Sequence, residues 1–184
     1  MMATGQRTRL NLGCGTRLVA GAVNLDVNRD VSADIVHDLN CVPWPFDDDS
    51  FNEVEAYDVL EHLEDVAGAL GEIHRISRHG TSVHVTVPHF SSANAFTDVT
   101  HRHWFGSHSF DPFVEVNGHT HALAHYGHAR CRRVSRVIYF HPSLVNKVVW
   151  RCANRWPDSY EHRWAWMFPA WFIAITLEVV KCPR

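Results

Sequence analysis

Three groups of residues in this sequence have types and spacings that could do chemistry. The first is Gly13-Cys14-Gly15, which directly follows the apolar run Arg9–Leu12 and is followed eleven residues later by Asp26 at the end of a second apolar run. A Gly-x-Gly turn at the end of a strand lets backbone and ligand approach closely. An acidic side chain closing the next strand can hold ribose hydroxyls, so the set points to an adenosine-containing ligand. A dinucleotide fingerprint would need a third glycine where Leu18 stands, which disfavours a nicotinamide cofactor. The second group is Asp58-x-x-Glu61-His62 with His101-x-His103 further on. Mixed carboxylate and imidazole donors suit Mg²⁺, Mn²⁺, Fe²⁺ or Zn²⁺. In the competing reading Glu61 is a helix-end charge and His62 a packed or acceptor-facing ring. The third is His119-x-His121-x-x-x-His125-x-x-His128, where positions 121 and 125 would share a helix face. Gly118, Gly127 and the lack of a nearby acidic or cysteine partner favour a substrate-lining lid there over a separate metal site.

These groups need a scaffold, and the chain offers an α/β one. Short apolar runs at Arg9–Leu12, Ala22–Leu25, Ala33–Val36 and Phe51–Tyr57 read as strands, and the acidic turn-rich stretch 43–50 as an exposed loop. Leu60, Leu63, Val66, Leu70, Ile73 and Ile76 recur at three- and four-residue spacing, which predicts an amphipathic helix ending near His79-Gly80. Ser82–Val87 alternates as a strand up to Pro88. Val134–Phe140, Pro142–Asn154 and Trp171–Val180 read as strand, helix and final strand. The alternation predicts a doubly wound, mostly parallel sheet with helices on both faces. A length of 184 residues suits one domain over 1–184. Within it, residues 1–90 form the ligand-binding half, 90–170 a pocket wall or lid, and 171–181 the last strand.

The net charge of −3 hides an asymmetry, because residues 1–100 carry six Lys/Arg against fifteen Asp/Glu and residues 101–184 eleven against five. Seven of the fifteen histidines lie between His101 and His128. The total disfavours general nucleic-acid binding. The basic stretch Arg130–Arg136 reads either as a phosphate or carboxylate contact or as a protected strand edge. Trp150, Trp156, Trp164, Trp166 and Trp171 interleave with arginines; such rings could stack on bases or sugars, or be covered by the sheet or by a second subunit as a homodimer. Five scattered cysteines without a CxxC pair, and a polar Met1–Arg9, give the expectation of a reducing cytoplasm with no secretory signal. Trp164–Val180, broken by Pro169 and Glu178, falls short of the ~20 apolar residues of a membrane span.

Read together, Leu10–Gly15, Val23–Asp26, Asp34–Leu39, Pro45–Val54, Asp58–Leu63 and Glu72–Ile76 resemble the class I S-adenosylmethionine-dependent methyltransferases, and within them the bacterial small-molecule, type 11-like branch. The resemblance is close over residues 9–105 and looser over Trp171–Lys181. It implies a Rossmann-like fold with an antiparallel last strand and S-adenosylmethionine as cofactor. Gly13 and Gly15 would lie under its methionine and ribose portions, Asp26 would hold the ribose hydroxyls, Asp38 and Leu39 would flank the adenine, and Tyr57 and Asp58 would close the pocket. Asn11 would also belong to the cofactor-binding set but stands where an acidic residue is common, which would weaken the grip on the ligand's ammonium group, and His79-Gly80-Thr81 replaces the usual Pro-Gly-Gly turn.

Methyl transfer from a sulfonium is a displacement that needs alignment and, for a hydroxyl acceptor, removal of one proton. The resemblance therefore implies O-methylation of a small-molecule or glycan-linked acceptor, with the base among His62, His89, His101 and His103, and His62 and His101 the foremost. The Glu61, His62, His101 set is also similar to that of small-RNA 2′-O-methyltransferases and ubiquinone-pathway O-methyltransferases, which hold a divalent ion; Asp58 stands for their first glutamate. The alternatives are a non-methylating enzyme acting on the cofactor's aminocarboxypropyl arm, as a lyase or cyclase, and a catalytically silent cofactor-binding scaffold.

Overall fold

The computed structural model describes residues 8–116, 119–120 and 129–181. Strands β1 (Arg9–Leu12), β2 (Val23–Asp26), β3 (Ile35–Val36), β4 (Phe51–Tyr57) and β5 (Ser77–Pro88) run parallel, and β9 (Phe172–Val179) pairs antiparallel with both β5 and β8 (Cys131–Tyr139). The seven-stranded order is β3-β2-β1-β4-β5-β9-β8. This is the expected Rossmann-like, mostly parallel sheet with an antiparallel last strand. Strands from both halves of the chain share it. A two-stranded ribbon, β6 (Glu115–Val116) and β7 (His119–Thr120), stands apart.

The sheet's core face follows from strict alternation. Val83, Val85 and Val87 on β5 meet Ile173, Ile175 and Leu177 on β9, all nearly inaccessible. Helix α1 (Val66–Ile76) lays Ala69, Leu70, Ile73 and Ile76 on this face. It begins later than the apolar periodicity suggests: Leu60–His62 is a 3₁₀ turn, Leu63 is extended, and Asp65 caps α1 by accepting from the Gly68 amide (2.9 Å). The other face is polar. Arg9 bridges Glu53 and Glu55 at 2.7 Å each, and His84 faces Glu53. The helices are unevenly distributed. Among the described residues none precedes Leu60, so the connections joining β1 to β2, β2 to β3 and β3 to β4 are loops. The remaining helices among the described residues are a single turn, α2 (Asn94–Thr97), a 3₁₀ turn at Asp111–Phe113, and the pair α3 (Leu144–Arg155) and α4 (Pro157–Arg163).

Candidate active site

The site forms beyond the C-terminal ends of the parallel strands, where loops take over from the sheet. Gly13 and Gly15 have φ of 59° and 49°, a region that favours glycine. At Gly13 a Cβ would come well inside the van der Waals contact distance of Val59 Cγ2 and 2.9 Å from Val59 Cβ, so the turn closes directly on the residue that follows Asp58. The Gly15 amide donates to Asp26 Oδ2 (2.7 Å) and the Asn28 amide to Asp26 Oδ1 (2.8 Å). Both carboxylate oxygens are thereby fixed, and each keeps a lone pair for a ligand hydroxyl.

Asn11 is placed differently from its neighbours in the motif. It is buried, and its amide donates to the Arg17 carbonyl (2.8 Å) and to Asn24 Oδ1 (3.0 Å); that Asn24 oxygen also accepts from the Val19 amide (2.8 Å). Asn11 thus ties down the loop that connects β1 to β2. A carboxylate could not donate to Arg17, which gives asparagine a physical reason to be there.

Two cavities meet at this edge of the sheet. One, of about 510 Å³, is lined by Gly13, Asp26, His37, Asp38, Leu39 and Val59 among others. The second, of about 590 Å³, is lined by Arg17, Glu61, Thr86, Pro88, His101 and Trp171 among others. Asp58 and His62 line both. Asp58 has φ of 52°, a strained value for a non-glycine residue, and is held by its amide donating to the Thr86 carbonyl (2.9 Å) and its Oδ1 accepting from Thr86 Oγ1 (3.0 Å). Tyr57 lies outside both linings, with Arg17 over its ring at 4.3 Å.

Glu61, His62 and His101 converge in the second cavity, one donor atom of each lying within 4.8 Å of the others. The backbone arranges this: the Glu61 carbonyl accepts from the Arg102 (2.8 Å) and His103 (3.3 Å) amides, pinning the loop after β5 onto the 3₁₀ turn. Thr100 Oγ1 donates to Asp98 Oδ1 (2.7 Å) and so accepts from His62 Nδ1 (2.8 Å); His101 Nδ1 donates to the Ala95 carbonyl (3.3 Å). In both rings Nδ1 carries the proton and Nε2 is left as the basic nitrogen. Burial, reinforced by His101 alongside, holds the His62 pKa below its ordinary value. Glu61 is 1% exposed, and neither carboxylate oxygen has a hydrogen-bond partner. Burial pushes its pKa up to about 8. An orphaned, buried carboxyl between two imidazole nitrogens either keeps its proton or accepts a cation.

The other two histidines considered as bases are committed to structure. His103 Nε2 donates to the Leu63 carbonyl (2.9 Å), while His89 is fully buried between Ser91 (2.8 Å) and Glu161 (3.2 Å). The arginines of β8 are likewise engaged: Arg132 with Glu178, Arg133 with Asp111, and Arg136 with the Ser107 carbonyl. β8 is a sheet edge, in keeping with the protected-edge reading. The cluster at His119–His128 lies outside the described residues except for the backbone of His119–Thr120. Arg17, Asp98, Thr100 and Phe172 were not singled out as site residues from sequence, and Trp171 was read only as one of five rings able to stack or to be covered. Asp98-x-Thr100 beside His101 carried a signal, since Thr100 closes a turn on Asp98 (2.8 Å).

Residues 10–85 match a family model described as a methyltransferase domain, of type 11. Among solved structures, an S-adenosylmethionine-dependent methyltransferase from Archaeoglobus fulgidus superposes with a TM-score of 0.65 at 16% identity, covering 95% of this chain and 86% of that one. One from Mesorhizobium loti gives 0.52 at 17% identity, with 92% and 90% covered. The [4+2]-cyclase SpnF gives 0.54 at 15%, with 95% and 74% covered. No curated protein sequence matches the chain significantly. At these identities the structures establish a shared fold. By sheet order and superposition the chain has the fold of the class I S-adenosylmethionine-dependent methyltransferases, and its residues 10–85, under half of its length, are similar to the methyltransferase-domain model.

Proposed function

We propose that the protein transfers the methyl group of S-adenosylmethionine to a hydroxyl of a small-molecule or glycan-linked acceptor. The observation that carries this reading is the pair of cavities joined at Asp58 and His62, one rimmed by Gly13 and Asp26 and the other by imidazoles and an aromatic wall. The first fits an adenosyl ligand. Gly13 leaves space that a Cβ would close, Asp26 offers both oxygens to the ribose diol, and Asp38 and Leu39 flank the adenine position. When bound, the cofactor supplies an already activated methyl group. The chain's part is to orient the acceptor, exclude water and take the hydroxyl proton. Trp171, Phe172 and Pro88 form the apolar wall, and the Nε2 atoms of His62 and His101 are the nitrogens free to accept the proton. The free thiols of Cys14, Cys41, Cys131 and Cys152 suit a reducing compartment such as the cytoplasm.

A second reading of the same atoms is supported by the orphaned Glu61 carboxyl: Glu61, His62 and His101 fit a divalent cation, which when bound would lower the pKa of an acceptor hydroxyl. Metal analysis of untagged protein and a chelator challenge decide between them, because full activity without a bound ion eliminates the cation. The methyl-transfer reading itself is tested by product analysis. It predicts S-adenosylhomocysteine with a methylated acceptor; methylthioadenosine, or conversion of an acceptor without cofactor consumption, would favour the lyase or cyclase alternative instead.

A further inference from the structure

One face of the molecule takes no part in the proposed chemistry. Helices α3 and α4 pack on the sheet through a small separate core of Ile138, Ala153, Tyr160, Ala165 and Ala170. Exposed apolar groups remain on α3 and in the turn after α4: Leu144 is 82% exposed and Val148 63%, and beyond α4 Trp166 is 69% and Met167 65% exposed. Between them lies a groove of about 510 Å³ lined by Val148, Cys152, Trp156, Trp164 and Phe168 among others. An apolar patch of this kind marks an interaction site.

The charges around it indicate what covers it. Lys147, Arg151, Arg155 and Arg163 are exposed, and none forms an ion pair among the described residues. This contrasts with β8, where Arg132 and Arg133 each meet a carboxylate. The two acids of the segment are occupied elsewhere. Asp158 faces His108 (3.0 Å), and Glu161 turns inward to His89 and to the Ser107 amide (2.6 Å). Tryptophans and aliphatics interleaved with unpaired cations match an anionic lipid interface, where rings sit at headgroup level and long basic side chains reach the phosphates. A two-fold contact with a second copy would instead set these cations against one another. No helix of the described residues is long and apolar enough to cross a membrane, so the face would lie on the surface. It is also continuous with the site. His141, just ahead of α3, stacks on Trp171 (4.4 Å), which lines the second cavity, and a further groove of about 310 Å³ joins His141 to Lys147, Trp150 and Arg151.

We propose that the α3–α4 face docks on the anionic surface of a lipid bilayer and holds the second cavity beside it, so that the acceptor is membrane-borne. The docking stands independently of the catalytic reading; the location of the acceptor rests on it. The test is flotation of the full chain with phosphatidylcholine vesicles containing 30 mol% phosphatidylglycerol, compared with phosphatidylcholine alone. Expected are binding to the anionic vesicles only, weakening with added salt, and about 30-fold weaker binding for Lys147→Gln/Arg151→Gln, from the worth of about 1 kcal/mol for each cation near an anionic surface. Trp164→Ser/Trp166→Ser should lose binding by at least tenfold. Unchanged S-adenosylmethionine affinity and thermal midpoint in both variants show that the fold is intact. A parent protein that ignores anionic vesicles, or variants that bind as well as the parent, overturn the proposal; so does a dimer in sedimentation equilibrium that the tryptophan variant dissociates. Vesicle binding without any cofactor binding would instead retain the docking and remove the methyl-transfer reading.

Discussion

Gly13→Ala places a methyl group 2.9 Å from Val59 Cβ, and closer still to Cγ2, at a φ of 59°. Two costs add. An L-residue in the left-handed region loses roughly 1–2 kcal/mol. The overlap costs a further ~1–3 kcal/mol, because Val59 is stiff at χ1 and the atom approached includes its Cβ, which cannot swing away. The sum, about 2–5 kcal/mol, is a large share of the ~5–15 kcal/mol that stabilises a domain. It should lower the urea midpoint by roughly 1–2 M at ordinary m-values. Gly15→Ala is the control: its φ is 49°, but a Cβ there meets nothing within 4 Å, so only the backbone cost of about 1 kcal/mol is expected. Gly13→Ala/Val59→Ala should recover the part of the steric cost owed to Cγ2, with the 2.9 Å approach to the retained Cβ remaining, giving a coupling energy of about 1–2 kcal/mol. If Gly13→Ala is no worse than Gly15→Ala, or the double variant is simply additive, then the close approach of the turn to Val59 is not what makes glycine necessary.

Further outcomes follow from other contacts. Asn11→Asp should lose ~1–3 kcal/mol in urea unfolding, since the buried carboxylate cannot donate to the Arg17 carbonyl and meets Asn24 Oδ1; Asn11→Ala should leave the Arg17 carbonyl without this donor and weaken cofactor binding through the loosened loop. Trp171→Ala should raise the acceptor KM while leaving S-adenosylmethionine affinity, measured by calorimetry, nearly unchanged, because Trp171 lines only the second cavity. Glu161→Ala removes the acceptor for the Ser107 amide and His89, and should cost ~2–4 kcal/mol in thermal unfolding with α4 most affected in hydrogen exchange. Arg75 hydrogen bonds hold the Glu72 carboxyl below its usual range, so the stability Glu72 adds is present above the unfolded pKa and disappears as pH falls through the lowered folded value. Thermal midpoints of the parent and Glu72→Gln should therefore converge in acid.

The sequence was most readable where a local pattern coincides with a tertiary need. β1, β4 and β9 were legible because alternation or an apolar run ends at a glycine, aspartate or loop signal. The turn at Gly13 and Gly15 was legible because a Gly-x-Gly pair after an apolar run signals the positive φ that both residues adopt. Helix α4 was not: Tyr160 alone is buried along it, so no apolar period marks it. The long helix expected from Leu60 breaks at extended Leu63, a boundary whose only visible sign was Asp65-x-x-Gly68. β5 starts at Ser77 rather than Ser82, because the strand carries through Gly80 at φ of 82°, a residue that reads as a stop. Among the histidines, His62 and His101 separate from His89 and His103 only through partners such as Glu161, 72 residues from His89, which no local window contains.

In the proposed function Gly13, Asp26 and Asp58 frame an S-adenosylmethionine site opening onto His62 and His101. Calorimetric titration of the full chain with S-adenosylmethionine, repeated on Asp26→Ala, tests it most directly. Saturable one-to-one binding is expected, weakened by about tenfold or more in Asp26→Ala through two lost hydrogen bonds to the ribose diol. A parent protein that binds nothing, or an Asp26→Ala variant that binds as tightly, would contradict it.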